Sequence, residues 1–475
     1  MPTKIEFGTD GWRAIIAEDF TFENVRYCAQ AVADYLHESG QAANGLIVGY
    51  DTRFASDRFA AAVAEVAAAN DIQVYLCNRP EPTPVVSYSV LDRKAGGGVV
   101  ITSSHNPAPY NGFKYKPEYA GSASPEIVAR LEDRIRVHQA DGSVRRVALA
   151  EAQRQGRVEQ IDARVPYLAQ MGRLVDLERL RASGVNVVHD AMYGAGIGYF
   201  AQVLAGGRTT VSGLHDVVNP NFPGLHGPEP IPPNVDELLA TVRERGAGVG
   251  LATDGDADRI GLVDEQGRFV NQLEVYALLL LYLLEVRGLR GPAVRSLTAT
   301  SMADRLGAKF GIPVIETPVG FKYVGPKMIE QGAILGGEES GGYGFKGHIP
   351  ERDAILAGLY LLDLCVQKQQ PLSAVVRYLH EVAGPSYYDR DDVTFPADQR
   401  AAIVGRVNAA EPASIAGLKV ERIDNMEGRK FYLEDGSWLL IRFSGTEPLL
   451  RIYTETTSPE RVRAILDAGH AMAGV

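Results

Sequence analysis

Short apolar runs that stop at hydroxyl- or glycine-rich turns alternate with helical periodicity along most of this chain. Val25, Cys28, Ala29, Val32, Ala33 and Leu36 recur at helical spacing and predict one buried helix face. Residues 46–50 predict a strand ending at Asp51-Thr52-Arg53. Ser56 or Asp57 is then placed to cap a helix whose inner face carries Phe59, Ala62, Val63, Val66 and Ala67. Residues 74–77, 185–188 and 249–253 read as further strands, and residues 130–183 as charged and helix-favouring. Such alternation predicts mostly parallel or mixed sheets with helices on their faces. The segment 219–234 holds six prolines and two glycines, so it predicts an irregular connection that is neither helix nor central strand. Beyond Gly384-Pro385 the character changes. Residues 431–434 and 438–443 flank Asp435-Gly436 and predict a β-hairpin in an α+β unit.

One strand prediction carries chemistry. Val99, Val100 and Ile101 run into Thr102-Ser103-Ser104-His105-Asn106-Pro107, and the proline biases Asn106 towards extended backbone. A buried strand that ends abruptly presents Ser104 where open α/β sheets bind ligands. No Gly-x-Ser-x-Gly elbow surrounds it, which argues against a hydrolase triad. His105 is next in sequence, and on extended backbone adjacent side chains point to opposite sides. That reads His105 as an orienting or phosphate-contacting group. Lys114, in Asn111-Gly112-Phe113-Lys114, is close enough in sequence to reach back towards Ser104.

Asp254, Asp256 and Asp258 alternate in one tight loop, and three mutually repelling carboxylates make sense with a cation. Oxygen ligands favour magnesium before calcium. With Glu265 the three match four positions of an EF-hand. Arg259 stands where that motif needs glycine, and the flanks read as strands, so the EF-hand is rejected. Arg442, Ser444, Gly445, Thr446 and Arg451 combine guanidinium forks, hydroxyls and freed backbone N–H groups. That set can grip a phosphate without transferring it.

Composition narrows the partners. A chain of 475 residues exceeds one core, so three or four domains are expected. The net charge of −11 argues against nucleic acid or an anionic membrane as partner. A phosphate site must then be local, drawn from Arg13, Lys114, Arg259, Lys322, Arg442 and Arg451, each in or beside a Gly/Ser/Thr-rich turn. Three distant cysteines argue against a disulfide framework and for a reducing cytoplasm, and residues 1–7 show no signal peptide. The longest apolar run, 275–284, lies between Glu274 and Glu285. It is too short to span a bilayer and reads as a buried helix.

The Ser104, Asp254, Glu338 and Arg442 stretches in this order, with Phe7-Gly8-Thr9-Asp10-Gly11-Trp12-Arg13, resemble the α-D-phosphohexomutase family over essentially the whole chain. The resemblance implies three mixed-sheet α/β domains around a cleft plus a C-terminal α+β domain. The boundaries expected are 1–165, 166–290, 291–385 and 386–475, each unit carrying one loop. It implies that Ser104 carries a phosphoryl group beside Mg2+, held by Asp254, Asp256, Asp258 and the phosphorylated serine. Arg13, His105, Lys114 and Arg259 complete the catalytic set, with Lys114 as general acid/base if burial among cations lowers its pKa. Glu338 and Ser340 would contact the sugar, Lys322 would bind substrate, and Arg442, Ser444, Gly445, Thr446 and Arg451 would hold the non-reacting phosphate.

Many members have histidine where this chain has Gly342, a departure that His348 could compensate. The implied reaction interconverts hexose 1-phosphate and 6-phosphate, glucose first and mannose second. It passes through bound glucose 1,6-bisphosphate, and the enzyme would be a cytoplasmic monomer or homodimer. Phosphoglucosamine mutase, a phosphoserine-dependent sugar phosphatase and a sugar-phosphate sensor without turnover stand as alternatives.

Overall fold

The structure is a computed structural model that describes residues 3–443 and 449–475. Among the described residues it contains four sheets, following one another along the chain. The first contains β1 (Trp12–Ile15), β2 (Leu46–Tyr50), β3 (Val74–Cys77), β4 (Gly97–Ile101), β5 (Tyr110–Pro117) and β6 (Val158–Ile161), in the order β1-β5-β4-β2-β3-β6. The second contains β7 (Asn186–Asp190), β8 (Thr210–Leu214), β9 (Val249–Thr253), β10 (Ile260–Asp264) and β11 (Phe269–Val270), in the order β11-β10-β9-β7-β8. The third contains β12 (Ala293–Ser296), β13 (Val314–Thr317), β14 (Leu335–Gly337) and β15 (Tyr343–Phe345), in the order β13-β12-β14-β15.

These three sheets share a plan. In each, parallel strands end in an antiparallel pair: β4 with β5, β9 with β10, and β14 with β15. The turn inside each pair leaves the carboxyl end of a strand running parallel to its neighbour. Those three turns hold Ser104, Asp254 and Glu338, so the alternation of strands places the three motifs at corresponding points of three sheets. The fourth sheet is antiparallel throughout. It contains β16 (Tyr387–Thr394), β17 (Ser414–Ile415), β18 (Leu418–Asp424), β19 (Arg429–Leu433), β20 (Trp438–Phe443) and β21 (Leu449–Thr456), in the order β16-β21-β20-β19-β18-β17. The expected hairpin is β19–β20.

The helix Gln272–Leu281 is buried along its whole length, starts at an Asn271/Glu274 capping box and runs into a π-helical turn, Tyr282–Val286. It packs against the helices Met302–Phe310, Ala354–Lys368 and Leu372–Ala383. No helix of the described residues is long and apolar enough to cross a membrane. Two local expectations are corrected. Ser56 and Asp57 do not cap their helix: Ala55 precedes it in a left-handed conformation, and the Ser56 hydroxyl donates to Asp51. The helix-favouring stretch 130–183 contains strand β6, whose only regular signal is burial of Val158 and Ile161. Parallel pairing with β3 makes it a strand, and that partner lies about eighty residues away.

Candidate active site

Strand β4 is wholly buried and its chain turns sharply after Thr102. Ser104 sits at φ 52°, a left-handed backbone that costs a non-glycine residue on the order of 1–3 kcal/mol and persists where surroundings enforce it. Here Thr102 Oγ1 accepts from the Ser104 N–H at 2.9 Å, and Arg53 Nη2 donates to the Ser104 carbonyl at 2.6 Å. Arg53 also donates to the carbonyls of Asn106, Pro107 and Tyr110, so one buried guanidinium holds the whole turn. Ser104 Oγ donates to Asp254 Oδ2 at 2.8 Å, joining the first and second motifs.

The left-handed backbone corrects the reading of His105. Its side chain does not point away from Ser104: Nδ1 lies 3.2 Å from Ser104 Oγ. Burial first, and then the charges of Arg259, Arg13, Arg53 and Lys114, push the imidazole well below its usual pKa. His105 is therefore neutral at pH 7.

The Asp254 loop is pinned from all sides. Asp254 Oδ1 accepts from the backbone N–H groups of Asp258 and Arg259. Ala195 N–H donates to the Gly255 carbonyl, Gly255 N–H to Pro228, and Ala354 N–H to Ala257. Gly255 has to be glycine, because a Cβ there would lie 2.4 Å from the Ser104 carbonyl oxygen. The three carboxylates are fully buried, and one ligand atom of each lies within 4.8 Å of the others. Asp256 Oδ1 and Asp258 Oδ1 are buried without a hydrogen-bond partner among the described residues. Unpaired buried carboxylate oxygens are costly, and an all-oxygen set of this size suits a hard divalent cation. The residues present therefore fit a metal ion.

Lys114 corrects a second expectation. Arg352 and Lys116 lie near it, but its ammonium is set among carboxylates. Strand β5 directs it between Asp10 (2.8 Å), Asp256 (2.8 Å) and Asp258 (3.0 Å). Burial alone would lower its pKa. The three carboxylates outweigh burial and hold it well above the usual lysine range. Such an ammonium stabilises anionic oxygens and does not readily exchange a proton.

Arg352 is the central residue that sequence reasoning missed. It is 3% exposed, and its Nη2 contacts Asp10 Oδ2 and Asp258 Oδ2, the latter at 2.9 Å. Its Nε donates to Glu351 at 3.1 Å, and Glu351 pairs with Lys116, which also reaches Asp10. Asp10 belongs to the amino-terminal motif, so this network ties the first motif to the metal loop and to the third unit. Alternation along β5 was the available signal, since it puts Lys114 and Lys116 on one face of one strand. Nothing near Arg352 in sequence marks it. Arg13 donates to Asn106 Oδ1 at 2.7 Å, and Arg259 faces Glu229 at 3.5 Å. Lys322, on the helix Phe321–Gln331, reaches the Gly8 carbonyl at 3.4 Å.

Glu338 is buried, with Oε1 accepting from the Gly320 N–H at 2.8 Å. Burial pushes its carboxyl up to about 7 against the pull of Arg352. Its loop closes through Glu338 N–H to the Gly342 carbonyl, and Gly341 accepts from Ile260 N–H just past the metal loop. Ser340 is half-buried beside it. His348 does not compensate for Gly342. Its side chain is fully buried, bonded to Asp353 at 2.8 Å and stacked on Tyr88. The space beside Gly342 is filled by Arg352, whose Cδ would lie 2.2 Å from a Cβ at that position.

In the fourth sheet Arg442 and Arg451 are cross-strand partners. Both face carboxylates: Arg442 meets Glu427 at 2.6 Å, and Arg451 meets Asp392 at 3.6 Å. Glu427 also accepts from Val319 N–H in the third unit at 2.7 Å. Ser444, Gly445 and Thr446 lie outside the described residues.

A buried serine bonded to a cation-ready triple carboxylate, on the turns of three like sheets followed by a fourth, defines a phosphohexomutase, an intramolecular phosphotransferase of the isomerase class. Family models for the α/β/α domains I, II and III and the C-terminal domain of phosphoglucomutase/phosphomannomutase match residues 4–141, 165–267, 272–382 and 404–469, and the chain belongs to that family. It is 34% identical over 465 residues to the probable phosphoglucosamine mutase of Methanothermobacter thermautotrophicus, covering 97% of this chain and 95% of the relative. It is 29% identical to a phosphoglucomutase/phosphomannomutase of Thermococcus kodakarensis, covering 98% and 97%. A solved structure from Thermus thermophilus, assigned as a phosphomannomutase, superposes with a TM-score of 0.86 at 34% identity, each chain wholly covered.

Proposed function

We propose that this enzyme interconverts the 1-phosphate and 6-phosphate of glucose, accepting mannose as a second substrate, with Ser104 as the phosphoryl carrier. The observation that carries the reading is the 2.8 Å bond from Ser104 Oγ to Asp254 Oδ2, beside two buried carboxylate oxygens that have no hydrogen-bond partner among the described residues. Asp254, Asp256 and Asp258, with the phosphorylated serine, would hold Mg2+, which withdraws charge from a transferring phosphoryl group.

The substrate hydroxyl attacks the phosphorus of phosphoSer104, the phosphorus–Oγ bond breaks, and the proton lost by the substrate is balanced by one gained at Oγ. Neutral His105, 3.2 Å from Oγ, suits that exchange. Lys114 and Arg259 would stabilise the transferring oxygens and Arg13 would steady the turn through Asn106. Glu338 and Ser340 would meet sugar hydroxyls, with Lys322 at the mouth. Arg442, Ser444, Gly445, Thr446 and Arg451 would hold the spectator phosphate, whose binding energy orients the reacting end. The proposed units 1–165, 166–290, 291–385 and 386–475 then contribute one loop each.

The product of the first transfer is a bound glucose 1,6-bisphosphate, which turns end for end and returns its other phosphoryl to Ser104. Three free cysteines, two of them buried, accord with a cytoplasmic enzyme.

The relative named as a phosphoglucosamine mutase favours glucosamine as the second reading. Turnover of glucose, mannose and glucosamine 1-phosphates, with free phosphate followed in parallel, tests both. Fastest turnover of the glucosamine compound would replace the glucose reading. Stoichiometric phosphate release would make the enzyme a phosphatase, and no turnover of any of the three would leave a sensor.

A further inference from the structure

The metal loop has a partner in the first unit that no motif marks. The helix Thr83–Arg93 begins against it, and its first residue makes two bonds to Asp256. Thr83 N–H donates to the Asp256 carbonyl at 2.9 Å, and Thr83 Oγ1 donates to Asp256 Oδ2 at 2.5 Å. The first N–H groups of a helix have no partner inside it, so here the loop supplies one. Pro82 immediately before the helix fixes its entry, and the positive end of the helix faces a carboxylate. Thr83 is fully buried, which makes its hydroxyl a committed donor.

The consequence lies in which oxygen is left over. Oδ2 of Asp256 takes two donors, Thr83 Oγ1 and Lys114 Nζ at 2.8 Å, and Oδ1 takes none among the described residues. Asp256 contributes to the cluster in which one ligand atom of each aspartate lies within 4.8 Å of the others. Lys114 divides its ammonium among Asp256, Asp10 and Asp258. Thr83 is the rigid donor, anchored through both backbone and side chain.

We infer that Thr83 is a positioning residue for the metal site: it locks the backbone and Oδ2 of Asp256 so that Oδ1 is presented to the divalent cation. The inference rests on the Asp254 loop being the metal site proposed above. Partners of ligating groups commonly change metal affinity 10- to 100-fold.

The test uses the full chain and Mn2+ as probe, with affinity read by calorimetry and by the Mn2+ spin signal. Thr83→Val keeps the side-chain shape and removes the donor, Thr83→Ser restores the donor, and Asp256→Asn reports on the loop itself. Thr83→Val is expected to weaken Mn2+ binding about 10- to 100-fold, with a smaller metal-induced rise in melting temperature measured from each variant's own value in chelator. Thr83→Ser is expected to stay within a few-fold of the parent. Should Thr83→Val not fold, Thr83→Ala read against Thr83→Ser carries the same comparison. If Asp256→Asn weakens Mn2+ and loss of the Thr83 hydroxyl does not, the inference is overturned while the metal site stands. If Asp256→Asn leaves Mn2+ binding unchanged, the metal site itself fails and the inference with it.

Discussion

Ser104 is held in its left-handed conformation by two neighbours, Thr102 on its N–H and Arg53 on its carbonyl. The phosphoryl group should therefore be found on this serine and nowhere else. Intact-mass and peptide analysis of the purified protein is expected to show a phosphoryl adduct on the peptide containing Ser104, absent in Ser104→Ala. Near-normal turnover of Ser104→Ala would show that another residue carries the group. In the fourth sheet, Arg442 is already paired with Glu427. A guanidinium–phosphate contact is worth about 1.5–3 kcal/mol, so Arg442→Ala is expected to raise KM roughly 10- to 150-fold. Phosphorylation of Ser104 should survive that change. Gly342 obeys a plainer rule: any side chain there displaces Arg352 from Asp10 and Asp258.

At the scale of elements, three turns at corresponding places in three sheets would supply, on the proposed function, nucleophile, metal-binding carboxylates and sugar contact. The first is tied to the second by the Ser104 Oγ to Asp254 side-chain bond, and the second to the third by the backbone bond from Ile260 N–H to Gly341. The geometry of the metal loop is thus a property of packed hairpins, and substitutions within it should act on the ion before they act on the fold. Chelation is expected to abolish turnover and added Mg2+ to restore it. Replacing Asp254, Asp256 and Asp258 together by Asn should abolish Mn2+ binding measured by calorimetry, and residual binding at parental affinity would place the ion elsewhere. The chelated enzyme should keep its circular dichroism, because Lys114 and Arg352 already neutralise much of the carboxylate charge.

At the scale of the whole molecule, the fourth unit is docked on the third through buried polar groups. Glu455 accepts from Thr300, the Ser301 N–H, Ser386 and Trp438. Lys430 donates to the Leu297 carbonyl and, at 2.9 Å, to Glu316, which Arg295 also holds. Burial and the like charge of Arg295 push Lys430 down to about 8, below the value of about 10.4 for a free lysine. Folded protein therefore binds this proton less tightly than unfolded protein. The resulting penalty is fully present below about pH 8 and is relieved as pH rises towards 10.4. The stability of the parent minus that of Lys430→Met should rise across that window by on the order of 3 kcal/mol and stay flat below it. Trp438 fluorescence in a Trp12→Phe background can follow the unfolding. A constant difference from pH 7 to 10 would refute the shift.

Docking also bears on turnover. On the proposed mechanism, with Ser104 as the one carrier, one triple-aspartate loop and one arginine pair, a bisphosphate would have to present its two ends in succession to Ser104. Turning requires loosening, and the Gly384-Pro385 connection is where the fourth unit would swing. Escape of the bisphosphate would leave Ser104 bare. Dephosphorylated enzyme is expected to be inactive with hexose 1-phosphate alone and to be rescued by glucose 1,6-bisphosphate. Full activity of verified dephospho-enzyme without bisphosphate would eliminate the mechanism.

Strand ends at Ser104 and Asp254, the buried helix after Glu274 and the β19–β20 hairpin were all legible in the chain, because apolar periodicity and turn residues act locally. Chemical type was legible too, since three carboxylates in one loop and clustered hydroxyls with arginines restrict what a loop can bind. Strand β6 was hidden, as its pairing partner is remote and its own pattern too short. The orientation of His105 was hidden because a single positive φ reverses the rule for adjacent side chains. Lys114 was misjudged because its neighbours, Asp10, Asp256 and Asp258, converge from distant segments, and a pKa depends on what converges. Arg352, Arg53 and Thr83 had no local mark at all. Local sequence determined the elements and the ligand chemistry; only packing of remote segments decided which charges face one another.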